Sequence, residues 1–258
     1  MSRVLVTGSA DGLGRLAAMQ LVADGHEVTL HARGEARGRD ALAAVPGAAG
    51  VLTADLASIA QTRALAEQAN HAGRFDAVIH NAALGYQVSG RNETEDGLAA
   101  VLAVNVLAPY LLTALMTRPD RLVYLSSGMH TGGDPSLDDL GWTDRRWNGV
   151  QAYSDSKLWD TVLAFAVARR WPDVLANAVT PGWVPTRMGG AGAPDDLDLG
   201  ADTQAWLAVS DDPAARVSGR YFYHRTERPA HPAASDPSLQ DGLLTACARL
   251  SGVEFPSV

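Results

Sequence analysis

Val4-Leu5-Val6-Thr7-Gly8-Ser9-Ala10-Asp11-Gly12-Leu13-Gly14 decides the fold of this 258-residue chain. A short apolar run leads into a turn with three glycines, and a helical pattern follows. Glycines permit a tight turn in which backbone N–H groups approach a ligand closely, and a helix N-terminus adds a favourable partial charge for an anion. The stretch therefore predicts a strand, a phosphate-binding turn and a helix, as in dinucleotide-binding proteins.

The same alternation of apolar runs and amphipathic segments continues along the chain. After the first strand (3–7), strands are predicted at 27–32, 51–54, 75–80, 121–127, 174–180 and 219–223. Helices are predicted at about 12–24, 35–44, 58–71, 96–116, 149–171 and 238–250. Strands that alternate with long helices imply right-handed βαβ units and a parallel sheet. We predict a single α/β domain over 1–258, a doubly wound Rossmann fold whose parallel sheet of about seven strands is flanked by helices.

Two stretches interrupt this alternation, at 129–148 and 185–200. Both follow the C-terminal end of a predicted strand, which is the edge where open α/β sheets bind ligands. Long loops at that edge are more often functional than accidental, so we predict substrate loops. Their large apolar residues, with Tyr86 from another loop, suit a bulky ketone, aldehyde or secondary alcohol: Met129, Trp142, Trp147, Trp183, Val184 and Met188. Trp142 and Trp147 are equally compatible with a place in the core.

Composition excludes several classes of function. The net charge of −8, without a run of Lys or Arg, argues against nucleic acid or an anionic membrane as a partner. The single cysteine, Cys247, allows no internal disulfide and fits a reducing compartment. No signal peptide or transmembrane-length apolar run is apparent, so we expect a cytoplasmic protein. The histidines are scattered without metal-ligand spacing, and we expect no metal site.

Tyr153 and Lys157 are separated by four residues in a predicted helix, so their side chains share one face. A free tyrosine has a pKa of about 10, and a nearby ammonium favours the phenolate. This spacing is common by chance. Here it follows a dinucleotide-binding turn and a strand that ends in Ser126-Ser127, and the combination predicts a general acid/base.

The end of the second predicted strand distinguishes between cofactors. NAD sites usually carry an acidic residue about 20 positions after the glycines, where it binds the ribose hydroxyl. Here the sequence is Leu30-His31-Ala32-Arg33-Gly34, without an acid. Arg33 can pair with a 2′-phosphate, so NADP is expected and NAD is less favoured. Asp11 in the turn is a mild counter-indication, and Arg33 could also be an ordinary surface arginine.

These motifs, in this order, resemble the short-chain dehydrogenase/reductase family over nearly the whole chain. The matching segments are Thr7–Gly14 (T-G-x-x-x-G-x-G), Asp55-Leu56, His80-Asn81-Ala82-Ala83 (for N-N-A-G), Asn105, Ser126-Ser127, Tyr153 to Lys157 (Y-x-x-x-K) and 181–186 (P-G-x-x-x-T). His80 and Ala83 depart from the family pattern. The long spacing from Ser127 to Tyr153 and the segments 137–142 and 219–222 are similar to the carbonyl-reductase-like and retinol-dehydrogenase-like branch.

The resemblance implies four catalytic residues. Tyr153 would exchange a proton with the substrate oxygen, Ser127 would position that oxygen, Lys157 would assist Tyr153 and bind the ribose, and Asn105 would hold Lys157 in a proton relay. Ser127 is preferred to Ser126 because the family's catalytic serine is usually the second. The implied cofactor-binding residues are Thr7, Gly8, Ser9, Asp11, Gly12, Leu13, Gly14, Arg33, Asp55, Leu56, Asn81, Ala82, Ala83, Tyr153, Lys157, Pro181, Gly182, Val184 and Thr186.

The expected activity is therefore an NADP-dependent oxidoreductase, with a ketoreductase favoured, acting on a small carbonyl or alcohol substrate. The resemblance also implies a homodimer that pairs through the helices predicted at 96–116 and 149–171. A non-catalytic NADP-sensing or scaffolding protein is the alternative, although such proteins are expected to lose Tyr153 or Lys157. Sugar-nucleotide epimerases share Y-x-x-x-K but usually have a larger C-terminal domain.

Overall fold

Strands and helices alternate throughout the computed structural model, which describes residues 1–257. The strands are β1 (Arg3–Val6), β2 (Glu27–Ala32), β3 (Gly50–Thr53), β4 (Ala77–His80), β5 (Arg121–Leu125), β6 (Leu175–Thr180), β7 (Tyr221–Tyr223) and β8 (Thr226–Arg228). The helices are α1 (Gly12–Ala23), α2 (Glu35–Ala44), α3 (Ile59–His71), α4 (Ala100–Leu102), α5 (Ala108–Leu115), α6 (Gly149–Arg170), α7 (Leu197–Val209) and α8 (Pro237–Ser251). Short 3₁₀ turns lie at Gly128–Gly132 and Pro232–Ser235.

All strands form one sheet in the order β3-β2-β1-β4-β5-β6-β7-β8. The seven strands from β3 to β7 run parallel, which confirms the predicted doubly wound α/β fold. β8 is an addition to the prediction and pairs antiparallel with β7. Its turn places His224 and Arg225 at positive φ (47° and 57°). Neither residue is a typical hairpin-turn residue, so the sequence carried no turn signal.

Helices cover both faces of the sheet. On one face α3, α5, α6 and α8 enclose the larger apolar core, and on the other α1, α2 and α7 enclose the smaller one. α7 was not predicted from the sequence. Its apolar residues are interrupted by Asp202, Thr203 and Gln204 without an amphipathic period, and its first residues fall within the stretch 185–200 that the sequence predicts to be a loop. Asp196 begins α7 as its N-cap, accepting the N–H groups of Asp198 and Leu199.

The helix predicted at 96–116 is shorter and irregular. It begins at Ala100, widens into a π-helical turn at Ala103–Leu107 and continues as α5. π-helical turns inside helices are frequent at functional sites, and this turn carries Asn105.

The C-terminal segment covers the outside of α5 and α6. Leu243, Leu244 and Cys247 of α8 are buried in the larger core, where burial raises the pKa of Cys247 to about 12. Beyond α8, the Tyr110 hydroxyl donates to the Val253 carbonyl at 2.7 Å, and Phe255 stacks on Trp171 with ring centroids 4.9 Å apart.

No helix within residues 1–257 is both long and apolar enough to span a bilayer.

Candidate active site

The turn between β1 and α1 is built so that only glycine fits at two positions. Gly8 has a φ of +63°, and a Cβ there would lie 2.8 Å from the Ala82 Cα. A Cβ on Gly14 would collide with the Asn81 amide nitrogen and the Gly8 carbonyl. The chain after β4 therefore closes directly over the turn, and glycine at these two positions permits the close approach.

Thr7 and Asn81 hold the ends of β1 and β4 together. The Thr7 hydroxyl accepts the N–H groups of Asn81 and Ala82 at 2.9 and 3.1 Å. The Asn81 amide donates to the carbonyls of Thr7 and Gly8. His80, a departure from the family pattern, directs its ring into the core, where Nε2 lies 3.2 Å from the Thr113 hydroxyl. The conformation after β4 is thus maintained without the family's first asparagine.

His31 connects the glycine turn to the end of β3. Its Nδ1 accepts the Gly8 N–H at 3.0 Å, so Nε2 carries the proton and donates to the Ala54 carbonyl at 3.1 Å. Ser9 completes the connection, because its hydroxyl accepts the His31 N–H at 2.9 Å. Ser9 is fully buried, so its hydroxyl supports the turn from below. The Asp55 carboxylate, next in the chain after Ala54, accepts the Ala57 N–H and lies beside buried Leu56.

Two arginines lie near the turn and differ in their partners. Arg37 of α2 pairs with the Asp11 carboxylate at 2.7 Å. This ion pair offsets the negative charge of Asp11, which was a counter-indication to binding of a 2′-phosphate. Arg33 is exposed just after β2 and forms no ion pair within residues 1–257. Its guanidinium is therefore available to an anionic ligand.

A cavity of about 720 Å³ opens at the C-terminal edge of β5, β6 and β7. Its lining includes the predicted site residues Leu13, Ser127, Tyr153, Pro181, Gly182, Val184 and Thr186. The predicted apolar residues Tyr86, Met129, Trp183 and Met188 also line it. Trp142 and Trp147 do not. The cavity also contains residues that sequence reasoning did not select, among them His130, Thr180, Tyr221, Tyr223 and Arg228.

Ser126 and Ser127 both border the cavity but differ in their hydrogen bonds. The Ser126 hydroxyl is buried, donates to the Lys157 carbonyl at 2.8 Å and lies 2.9 Å from the Thr161 hydroxyl. The Ser127 hydroxyl is partly exposed and, within residues 1–257, accepts only the Met129 N–H, at 3.2 Å. Ser127 therefore keeps its proton free for a ligand.

Tyr153 and Lys157 lie on one face of α6, as predicted. The Lys157 Nζ is 5.8 Å from the Tyr153 ring centroid. It donates to the Leu125 carbonyl and to the Asp160 carboxylate, both at 2.7 Å. Asp160 was not selected from the sequence. Burial raises its pKa to about 6, although the Lys157 ammonium opposes the rise. A buried carboxylate thus neutralises the ammonium of Lys157, one helical turn from Tyr153.

Within the described residues, the Asn105 side chain forms no hydrogen bond with Lys157. Its amide oxygen accepts the Leu84 N–H at 2.8 Å, and its amide nitrogen donates to the Leu84 carbonyl and the Ser156 hydroxyl. The side chain therefore joins the loop after β4 to α6, between Tyr153 and Lys157 in sequence.

The first loop, 129–148, is anchored to α6 for most of its length. Asp155, buried between Tyr153 and Lys157 in sequence, accepts the Asp134 N–H at 2.8 Å and pairs with Arg145 at 2.9 Å. Trp142 packs against Trp147 with ring centroids 5.6 Å apart and under the Arg145 guanidinium. The tryptophans of this loop thus stabilise it, and only its first residues reach the cavity.

The second loop curls over the cavity mouth. The Thr186 hydroxyl accepts the Gly189 N–H at 3.1 Å. Asp195 accepts the Trp183 N–H at 2.6 Å, and the Trp183 indole donates to the Gly189 carbonyl. The Trp183 side chain is nevertheless 56% exposed, so it presents an aromatic surface at the entrance.

Comparison with known proteins agrees with this geometry. The family model for short chain dehydrogenase matches residues 2–127. An uncharacterized oxidoreductase of Emericella nidulans is 45% identical, with 99% of each chain covered. A short-chain dehydrogenase of Gibberella zeae is 41% identical over the whole of both chains. Human retinol dehydrogenase 13 is 30% identical over 99% of this chain and 86% of that one.

Solved structures share the fold. A crystal structure of an uncharacterized protein from Mycobacterium paratuberculosis superposes with a TM-score of 0.86 at 27% identity, covering 99% of this chain and 95% of that one. A blue fluorescent protein from a metagenomic library, crystallised with NADPH, has a TM-score of 0.68 at 23% identity, covering 86% and 95%.

Proposed function

The chain belongs to the short-chain dehydrogenase/reductase family, in its retinol-dehydrogenase-like branch, and from that premise we propose an NADP-dependent oxidoreductase for a bulky apolar ketone, aldehyde or secondary alcohol. One observation carries the proposal. Ser127 and Tyr153 line an apolar cavity of about 720 Å³ that also reaches Leu13 of the glycine turn. A reactive phenol, a hydroxyl donor and a dinucleotide-binding turn thereby share one site.

The residues fit a bound nicotinamide dinucleotide. The glycine turn would hold the pyrophosphate, and Asp55 with Leu56 would contact the adenine. Asn81, Ala82 and Ala83 would border the adjoining ribose, and Pro181, Gly182, Val184 and Thr186 the nicotinamide end. Arg33 would bind the 2′-phosphate. The cofactor, when bound, supplies hydride to the carbonyl carbon or accepts it from the alcohol carbon.

Proton movement would depend on the chain's own side chains. In the reducing direction, the Tyr153 phenol donates its proton to the carbonyl oxygen, while the Ser127 hydroxyl donates a hydrogen bond to the same oxygen. The charge that develops in the transition state is stabilised by both donors. In the oxidising direction the same phenol accepts the alcohol proton.

Lys157 and Asn105 would act less directly. The Lys157 ammonium uses two of its three N–H donors on the Leu125 carbonyl and Asp160, and the third would bind a ribose hydroxyl. The Asn105 amide is already bonded to Leu84 and Ser156. Its part is therefore to position α6 rather than to hydrogen-bond Lys157.

Cofactor choice is tested by titrating the purified protein with NADPH and NADH and following nicotinamide fluorescence. We expect NADPH to bind more tightly, and Arg33→Ala to weaken NADPH binding by about tenfold while leaving NADH unchanged, because only NADPH carries the 2′-phosphate. Arg39→Ala is the matched control, since Arg39 is an exposed arginine of α2 whose one ion pair spans 4.0 Å. Equal affinity for the two cofactors would contradict NADP use. Failure to bind either would favour a non-catalytic role.

Substrate loops, location and assembly complete the proposal. The cavity-lining parts of 129–148 and 185–200 act as substrate loops within a single domain. We also propose a cytoplasmic location, which the single, buried cysteine fits. Pairing through α5 and α6 would require α8 to leave its place, so we propose a monomer instead of the homodimer expected from the resemblance.

A further inference from the structure

Asp160 is a buried carboxylate of α6 to which the mechanism above gives no part. Its side chain is 4% exposed, that of Lys157 is 2% exposed, and their charged groups lie 2.7 Å apart. A carboxylate in such a place loses its hydration, which is costly unless a partner compensates the charge. Among the described residues Lys157 is the one cation that pairs with Asp160, so the two form a single buried ion pair.

The other titratable groups that face Asp160 are uncharged. Burial raises the pKa of Tyr124 on β5, and the Asp160 charge raises it further, so this phenol stays protonated beside the Thr113 hydroxyl of α5. His80 of β4 packs on the Tyr124 ring, and burial lowers its pKa to about 3, so it is neutral. At neutral pH the charge of Lys157 is therefore balanced by Asp160 alone.

Lys157 also lies beside the reactive tyrosine. Its Nζ is 5.8 Å from the Tyr153 ring centroid, and its other contact is the uncharged Leu125 carbonyl. An unpaired ammonium at this distance would strongly favour the phenolate. The Asp160 carboxylate opposes this effect, because a negative charge in contact with the ammonium cancels much of its field. The phenol consequently holds its proton more firmly than it would beside an unpaired lysine.

We propose that Asp160 acts through Lys157 to keep the Tyr153 phenol protonated, and that it thereby suits the site to carbonyl reduction. The inference rests on the proposed function and deepens it by naming the direction. Reduction consumes the proton of the phenol, whereas oxidation of an alcohol needs the phenolate. Asp160 is not among the residues that line the cavity, so it is a positioning residue and not a catalytic one.

The test follows the ionisation of Tyr153 by the ultraviolet absorbance of tyrosinate. Because the chain has six tyrosines, each protein is titrated beside its Tyr153→Phe derivative, and the difference belongs to Tyr153. Asp160→Asn removes the charge and keeps an oxygen that can accept the Lys157 N–H. We expect the midpoint of Tyr153 ionisation to fall by on the order of one pH unit, since an unpaired ammonium is left near the phenol.

Two variants separate the effect of charge from that of packing. Asp160→Glu retains a carboxylate, so its midpoint should stay within about 0.3 pH unit of wild type. Asp155→Asn removes another buried carboxylate from the same helix, but its partner Arg145 is 30% exposed. Solvent screens the charge left behind, and we expect a shift of at most about 0.3 pH unit. An unchanged midpoint in Asp160→Asn, or an equal shift in Asp155→Asn, would overturn the proposal.

A double variant keeps the test decisive if Asp160→Asn does not fold. Lys157→Met combined with Asp160→Leu replaces the buried ion pair by apolar side chains, a change that proteins often tolerate. Both charges disappear together, so we expect the midpoint of Tyr153 to stay within about 0.3 pH unit of wild type. A rise of on the order of one pH unit would show that Lys157 acts on Tyr153 as an unbalanced cation, and it would overturn the proposal.

Turnover is measured separately, as oxidation of NADPH with benzil, a bulky aromatic ketone, over a range of pH. Reduction should be lost at a lower pH in Asp160→Asn than in wild type, because the phenol gives up its proton sooner. An unmoved pH profile in a variant that still reduces benzil would overturn the link to reduction. If wild type reduced neither benzil nor other bulky ketones with either cofactor while the midpoint of Tyr153 still shifted, the proposed function would fail and the electrostatic role of Asp160 would stand.

Discussion

Ser126 and Ser127 show how two neighbouring hydroxyls acquire different tasks. Ser126 is used within the fold, as a donor to α6, whereas Ser127 retains a free proton at the cavity. We expect Ser127→Ala to lower kcat by about 100-fold with any carbonyl compound that wild type reduces, because a donor to the developing oxyanion is lost. Ser126→Ala should keep most activity but lose about 1 kcal/mol of stability. Steady-state kinetics with thermal unfolding separates the two, and the reverse pattern would contradict the assignment.

Among individual residues, the sequence alone predicted those that belong to local motifs. Tyr153 and Lys157 could be found because a helix fixes their relation, and Gly8 and Gly14 because a tight turn demands them. Asp160 could not be found in this way. Its importance depends on burial and on β5, against which the Lys157 ammonium is held only when the sheet has formed.

At the scale of elements, His31 joins three strand ends, because it links the glycine turn after β1, its own strand β2 and the end of β3. Burial lowers its pKa to about 4, against about 6.5 in an unfolded chain. Below about pH 6.5 the unfolded chain therefore binds a proton that the folded chain excludes, and stability falls as the pH drops toward about 4. We expect His31 to account for a loss of about 2 kcal/mol between about pH 7 and about pH 5.

The measurement is urea unfolding of wild type and His31→Asn at both pH values. Asparagine keeps an acceptor for the Gly8 N–H but does not titrate, so the variant should lose about 2 kcal/mol less than wild type on acidification. His80, also buried with a pKa lowered to about 3, contributes equally to both proteins. His71→Asn, at an exposed position, is the control and should behave like wild type. An unchanged pH dependence in His31→Asn would refute this account.

Strands and helices could be predicted from the sequence where their hydrophobic pattern lies within the element itself. β1 to β7 and the long helices appear as apolar runs and amphipathic segments of sufficient length. α7 lacks such a period because it is buried along most of its length, and β8 exists only through its pairing with β7. Trp142 and Trp147 could not be placed from the sequence for a similar reason. A tryptophan in a loop can pack on its own loop or line a cavity, and the sequence alone does not distinguish the two positions.

At the scale of the whole molecule, the C-terminal segment determines which surfaces remain free. The fold class followed from the alternation of elements, but the docking of α8 depends on contacts with α5 and α6 that are distant in sequence. The face that the family resemblance offered for pairing is consequently covered by Leu243, Leu244 and Cys247 of the same chain, and by Phe255. Displacing α8 would expose a large apolar surface, and surfaces of this kind promote association between chains.

We therefore expect light scattering to give the mass of one chain, 27.1 kDa. Leu243→Asp places a charge at a fully buried position of α8, so it should loosen the helix, lower the melting temperature and raise the mass by association of the uncovered face. Leu250→Asp, at a position of the same helix that is 37% exposed, should change neither quantity. Far-UV circular dichroism of Leu243→Asp must remain close to wild type for its mass to be interpreted. A wild-type mass near twice that of one chain would contradict the monomer, and it would require a pairing surface elsewhere than α5 and α6.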